Sequence, residues 1–267
     1  MASSELFEDF LFGKTCVVGR KRAANQDSAD ILFPAEGNPL PPLMVLADGM
    51  GGHQGGEIAS QIVLETFREV YYQPHPNLTY AEILKGCVKR AHRRIKERAE
   101  TDSGLSGMGS TVVAAFVDND KIHLINVGDS RAYVLRDQKV HQISQDQSFV
   151  ADQVRAGLLT TEQARTHPKK NILSMAINAK RPVVTPILNE VVFGVGDILL
   201  LCSDGLWGVV NESFLWAAAN EFEPQEASER LVAFANTSGG PDNISVLIAR
   251  NKNWQAVKTI SNDETKG

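Results

Sequence analysis

Two rhythms of apolar and polar positions divide this sequence. In the first, an unbroken apolar run from Leu43 to Ala47 ends on Asp48, and glycines follow at 49, 51, 52, 55 and 56. Ala59, Ile62, Val63, Thr66, Phe67 and Val70 then recur at helical spacing, so a buried strand feeds a tight corner and an amphipathic helix. Thr79 with Glu82 three residues later is a capping-box signature, and Leu84, Val88, Ala91 and Ile95 give a second helix its apolar stripe. The second rhythm begins near Ser110. Thr111–Val117, Lys121–Val127, Ala132–Leu135 and Val140–Ser144 are short apolar runs separated by Asp-Asn-Asp, Gly-Asp-Ser and Asp-Gln turns, the pattern of an antiparallel meander.

Around these lie weaker signals. Thr15–Gly19 and Ala29–Phe33 read as short strands flanking a polar segment, and Val183–Phe193, Asp197–Cys202 and Ile244–Ala249 as later ones. Asn211 caps a helix over Phe214–Asn220, and Pro224 opens another over Gln225–Asn236. Residues 147–182 carry polar helical fragments, Thr160–Arg165 and Lys169–Ala176, without a wide apolar face; the segment is either a flap over a site or a plain surface insertion. Strand runs interrupted by helix pairs, without strict alternation, indicate an α+β fold. A four-layer αββα sandwich, two mainly antiparallel sheets flanked by helix pairs, covers every apolar face. The expected division is an N-terminal arm at 1–13, a single domain over 14–250 with the flap at about 147–182, and a polar tail at 251–267.

Composition adds exclusions. The chain has 267 residues, 43% hydrophobic and 22% charged, with a formal charge of −5, which suits a soluble globular domain and not a nucleic-acid footprint. The one basic cluster, Lys89–Arg98, reads as a solvated helix face. Cys16, Cys87 and Cys202 are odd in number and widely spaced, so no disulfide framework is indicated. The first nine residues carry Glu5, Glu8 and Asp9 in place of a basic leader, and no apolar run approaches about 18 residues. A cytoplasmic protein is expected, without membrane or nucleic-acid partners.

The candidate chemistry lies in aspartates. Asp48 ends an apolar strand beside a glycine carbonyl, offering hard oxygen ligands of the kind Mg²⁺ and Mn²⁺ prefer. Asp129, Asp204 and Asp242 also stand beside glycine at strand boundaries, in Gly128-Asp129-Ser130-Arg131, Ser203-Asp204-Gly205 and Gly239-Gly240-Pro241-Asp242-Asn243. Several carboxylates are costly to bury together unless cations neutralise them.

With Arg22-Ala23-Ala24-Asn25-Gln26-Asp27, Asp48-Gly49-Met50-Gly51-Gly52-His53 and Gly109-Ser110-Thr111, these motifs run in one order over about residues 14–250. In that order they resemble the metal-dependent, type 2C protein serine/threonine phosphatases in their compact bacterial form. The resemblance implies hydrolysis of phosphoserine and phosphothreonine at a binuclear Mn²⁺ or Mg²⁺ centre, with no covalent phosphoenzyme. Two cations about 3.5 to 4 Å apart share one water, lower its pKa and aim it at phosphorus. Carried over residue by residue, Asp48 bridges both ions, Asp204 and Asp242 complete the first metal's protein ligands, and the Gly49 carbonyl binds the second. Asp27 orients a metal water, Asp129 with Asp204 holds a third, weaker metal, and Arg22 grips the substrate phosphate through its planar fork. The implied partners are phosphorylated proteins and a cognate Ser/Thr kinase, and a monomer is expected.

This chain departs from the pattern at three positions. Gln26 stands where many relatives have glutamate, Met50 where animal relatives have a histidine regarded as the general acid, and Gly208 where many offer a further aspartate near the third metal. His53 is offset from the general-acid position and takes no assigned role. Two other readings remain. A pseudophosphatase that only docks phosphoproteins would be favoured by loss of a core ligand, yet Asp48, Asp204 and Asp242 are all present. Cys16 and Arg22 have the Cys-five-Arg spacing of cysteine-dependent phosphatases, but those need a thiolate at a helix N-terminus, and Cys16 belongs to an apolar strand.

Overall fold

The computed structural model describes residues 9–73 and 75–253. Most of the arm expected at 1–13 and of the tail expected at 251–267 lies outside the described residues, as does the His53 side chain. The chain opens with β1 (Phe10–Val17), β2 (Asp27–Leu32) and β3 (Leu43–Met50), followed by the long helices α1 (Gly52–Tyr71) and α2 (Tyr80–Thr101). The meander comprises β4 (Gly109–Ser110), β5 (Val112–Asp118), β6 (Lys121–Val127), β7 (Arg131–Arg136) and β8 (Lys139–Gln142). Short elements α3 (Phe149–Arg155), α4 (Thr161–Thr166) and β9 (Ile177–Asn178) lead to β10 (Ile187–Val192) and β11 (Ile198–Cys202). The chain then forms α5 (Asp204–Trp207), α6 (Glu212–Glu221), α7 (Pro224–Thr237) and β12 (Ile244–Asn251).

The strands form two antiparallel sheets. One has the order β1-β12-β11-β7-β8; the other runs β10-β6-β5-β3-β4-β9, with β2 paired to β3. Strand alternation makes the layers. In β3, Leu43, Val45 and Ala47 face Ala59, Val63 and Phe67 of α1 and Leu84, Val88 and Ile95 of α2, while Met44 and Leu46 face the other sheet. In β11 and β12, Leu200 and Ile248 pack under Leu215 of α6 and Leu231 of α7, whereas Leu199, Leu201 and Leu247 meet the β3-containing sheet across the centre. The α+β sandwich with helix pairs outside both sheets, expected from the sequence, is the architecture found.

Some local expectations shift. β1 begins at Phe10 instead of Thr15 and pairs along its whole length with β12, from Phe10 opposite Asn251 to Val17 opposite Ile244, so residues 10–13 belong to a sheet and not to an arm. As an edge strand β1 carries only a weak burial alternation, which conceals its period. β3 continues past Asp48, because Gly49 and Met50 pair with Ser110 and Gly109. The helix expected over Lys169–Ala176 is absent; turns occupy its first half and Leu173 bridges Ser148. Without an apolar stripe there is nothing to hold such a helix against the body. The helices in this region are α3, capped by the Ser148 side chain, which accepts from the Ala151 N–H, and α4, capped by Thr160 where the sequence places a helical fragment over Thr160–Arg165.

Candidate active site

At one end of the sandwich the layer between the sheets changes from hydrocarbon to oxygen. The inward side of β3 continues from Met44 and Leu46 to Asp48, that of β2 runs from Ile31 through Ala29 to Asp27, and that of β12 runs from Ala249 and Leu247 to Ser245. Asp27 and Asp48 lie directly opposite each other in the β2–β3 register. One residue beyond β11, Ser203 joins them. The Ser203 and Ser245 hydroxyls each donate to Asp27 Oδ2 at 2.7 Å.

Three aspartates arrive on loops and one short helix. Asp129 sits in the turn after β6, where its carbonyl accepts from Trp207 Nε1 at 3.0 Å. Asp204 opens α5, and the glycine after it is required by packing: a Cβ on Gly205 would lie 1.9 Å from the Asn243 carbonyl oxygen. Asp242 precedes β12; its Oδ1 accepts from the Asn243 N–H at 2.8 Å and its Oδ2 from Arg22 Nη2 at 2.7 Å. Arg22, Asp48, Gly49, Asp129, Asp204 and Asp242 all line one open cleft of about 680 Å³, with Asp27 buried behind Asp48. The structure thus brings together every site residue singled out in the sequence.

The cost of this grouping shows in the electrostatics. Burial, with Asp27, Asp204, Asp129 and Asp242 adding their charges, holds Asp48 well above the ordinary carboxylate range. Burial also raises Asp27 to about 7 despite the opposing hydrogen bonds from Ser245 and Ser203. Asp129 is raised to about 7 by burial and the charge of Asp204. Burial and Asp242 raise Asp204 to about 6, with Arg22, the Gly205 N–H and Lys170 opposing.

The donor set fits divalent cations. Asp27 Oδ1 and Asp204 Oδ1 are buried with no hydrogen-bond partner, which is costly unless a positive ligand completes them. The carboxylates share the cleft without closing on a common point: among the described residues no three His, Cys, Asp or Glu side chains form a ready cluster. Arg22 Nη2 forms an ion pair with Asp242 Oδ2. The orphaned oxygens still call for cations, since carboxylates that repel one another close up only around a cation.

Several supporting residues were not assigned roles from the sequence. Asn243 Nδ2 donates to the carbonyls of Val18 and Ala24 at 2.8 and 2.9 Å, and its Oδ1 accepts from the Gln26 N–H, so one amide fixes the loop that carries Arg22. Thr111 holds Asp48 from both sides: its Oγ1 accepts from the Asp48 N–H at 3.0 Å and its own N–H donates to the Asp48 carbonyl at 2.8 Å. Arg131 stacks on Trp207 at 3.7 Å and forms a fork to Asp146, steadying the indole that grips Asp129. Ser245 was recoverable from strand parity, two residues before the inward-facing Leu247.

Residues 19–240 match the family model described as Protein phosphatase 2C. The chain belongs to the protein phosphatase 2C family. It is 34% identical over 247 residues to the serine/threonine phosphatase stp of Listeria innocua, covering 91% of this chain and 96% of that one. Its fold is similar to that of the Streptococcus agalactiae (S. agalactiae) serine/threonine phosphatase, with TM-score 0.81 at 31% identity over 90% of this chain and 99% of that one. It is also similar to the catalytic domain of the phosphatase PstP in complex with two manganese ions, with TM-score 0.77 at 33% identity over 91% and 98% of the two chains. In this protein phosphatase 2C chain the departures have visible places. Gln26 Nε2 donates to the Gly52 carbonyl at 2.8 Å, bracing the corner; Met50 lines the cleft, and Gly208 caps α5.

Proposed function

We propose that this protein phosphatase 2C member hydrolyses phosphoserine and phosphothreonine in proteins at a binuclear Mn²⁺ or Mg²⁺ centre, without a covalent phosphoenzyme. The observation that carries the reading is the group of buried carboxylates, two of them with unpartnered oxygens, on the floor of an open cleft. Asp48, Asp204, Asp242 and the Gly49 carbonyl hold the two core ions, Asp129 with Asp204 a third and weaker one, and Asp27 acts through water. Such ions supply Lewis acidity toward phosphoryl oxygens and a nucleophilic water at neutral pH.

The remaining roles belong to the protein. Arg22, half-exposed at the cleft, binds the phosphate dianion with paired N–H donors. Ser203 and Ser245 fix the Asp27 carboxylate and are thereby withheld from nucleophilic attack, and Thr111 Oγ1 is shared with Ser130 Oγ at 2.7 Å. Cys16 has its surface exposed on β1, yet desolvation by the protein around it still pushes its thiol up, and no helix begins after Arg22, which removes the basis for thiolate chemistry. Residues 147–182 act as a flap, the substrates are phosphoproteins opposing a Ser/Thr kinase, and the protein works as a cytoplasmic monomer. No helix among the described residues is long and apolar enough to cross a membrane. The deciding experiment is release of phosphate from a phosphothreonine peptide with and without Mn²⁺. Metal-dependent turnover supports the reading, and none at any Mn²⁺ or Mg²⁺ concentration with tight peptide binding would favour the docking module.

A further inference from the structure

In a chain of formal charge −5, residues 147–182 carry Arg155, Arg165, Lys169, Lys170, Lys180 and Arg181 against only Asp152 and Glu162. Arg155 is paired with Asp152, but Arg165, Lys169, Lys170, Lys180 and Arg181 form no ion pair among the described residues. On α2, by contrast, Arg93, Arg94 and Arg98 each have a carboxylate partner while Lys85, Lys89 and Lys96 form no ion pair among the described residues, so what sets residues 147–182 apart is their local excess of cations over carboxylates. Unpaired cations on a net-acidic protein mark a surface whose counter-charge comes from outside.

Arg181 and Lys170 connect this excess of cations to the cleft. Arg181 lines it, and so does Asn171, the neighbour of Lys170; Lys170 is close enough for its charge to act on Asp204. The backbone that presents them is pinned. Phe149 N–H donates to the Ile172 carbonyl at 2.7 Å, Ser174 N–H to the Gln147 carbonyl at 2.9 Å, and the Arg181 carbonyl meets His92 Nε2 of α2 at 3.0 Å. Lys169 lies over the Phe149 ring at 5.1 Å, and Lys169 and Lys170 are both exposed. The loop bearing Arg20 and Lys21 delivers Arg22 to the same cavity.

We propose that Lys169 and Lys170, with Arg181 beside them, form a subsite for acidic residues flanking the phosphorylated side chain, so that the preferred substrates are acidic phosphopeptide segments. This rests on the phosphatase reading of the cleft but concerns a different part of the peptide from its phosphate. Pairs of exposed charges each contribute little, and they discriminate mainly by repelling the wrong partner.

The test uses phosphothreonine peptides identical but for two flanking Glu, Gln or Lys residues, with p-nitrophenyl phosphate as a substrate that has no flanks. For the wild-type protein with Mn²⁺ at low salt, kcat/KM falls in the order Glu, Gln, Lys, by about fivefold from Glu to Gln, and the spread shrinks as salt rises. In the doubly substituted Lys169→Glu/Lys170→Glu protein the order reverses, with Lys-flanked peptides gaining over Glu-flanked ones when each kcat/KM is divided by p-nitrophenyl phosphate turnover of the same protein at saturating Mn²⁺. A gain for one peptide is something a damaged fold cannot produce. Equal use of all three peptides by the wild-type protein, or an order that the double substitution leaves intact, overturns the proposal. Fluorescence anisotropy of the same peptides is read in parallel. If nothing is turned over, the phosphatase reading fails alone, and the flank order in binding still decides the subsite.

Discussion

Under the proposed function Arg22 carries two duties at one position. Asn243 fixes its loop and Asp242 takes its guanidinium in an ion pair of 2.7 Å, so the phosphate grip and a proposed metal ligand share one partner. Sequence alone offers no reason to link them. The contact predicts that Arg22→Ala raises KM for phosphopeptides, with a loss of about 1.5 to 3 kcal/mol per charged hydrogen bond removed. Apparent Mn²⁺ affinity should tighten by a few-fold or less, because an exposed pair no longer competes for Asp242. Calorimetric titration with Mn²⁺ checks the second part, and weaker binding in the variant contradicts it. The proposed assignment divides the aspartates by duty in the same way. Asp204→Asn should abolish turnover at every metal concentration, whereas Asp129→Asn should lose much less at saturating Mn²⁺; equal losses throughout a metal titration count against that division.

Among the elements, legibility in the sequence followed periodicity. α1, α2 and α7 bury full apolar stripes and were readable to within a few residues, and the capping box at Thr79 and Glu82 is present in the structure. It supplies an independent check: Thr79→Ala should lower stability by about 1 kcal/mol in urea denaturation while leaving kcat untouched, since α2 starts far from the carboxylates in the chain's layering. What the sequence concealed were elements fixed by partners and not by their own pattern. β4 and β9 are two residues each and exist only as rungs beside Gly49 and Met50. β1 is an edge strand specified by β12, and Lys169–Ala176 has helix-forming residues but no apolar face to hold them. The site was more legible than the edges around it, because a carboxylate beside glycine at a strand end leaves its mark in one short motif, whereas the hydroxyls that hold Asp27 come from strands more than 170 residues away.

At the scale of the whole molecule, two sheets pack an apolar layer and then meet at one edge in repelling carboxylates, so stability and metal binding should be coupled. Asp27 and Asp129 are raised to about 7 and Asp204 to about 6, all above the ordinary range near 3.9 that they regain on unfolding. For an acid whose folded pKa is raised, the native state binds more protons than the unfolded state between those two values. Stability is therefore lost as pH rises from about 4 through about 7. The EDTA-treated protein should accordingly show a Tm that falls from pH 5.5 to pH 8. Asp30 works in the opposite sense: burial raises it, but Lys14, Arg68 and the Ile31 N–H outweigh burial and lower it, so its contribution disappears only in more acidic solution, outside this window. Saturating Mn²⁺ should reverse the slope. Cations take the place of protons on the carboxylates, their binding strengthens as those groups ionise, and the bound state gains stability with ligand concentration over its dissociation constant. Activity should vanish with EDTA, return with Mn²⁺ or Mg²⁺, and survive alkylation of Cys16. Scanning calorimetry at several pH values with and without Mn²⁺ checks the coupling. A metal-free Tm that climbs between pH 5.5 and 8, or one that Mn²⁺ leaves unmoved at pH 8, would show that the carboxylates are relieved by some means other than cations.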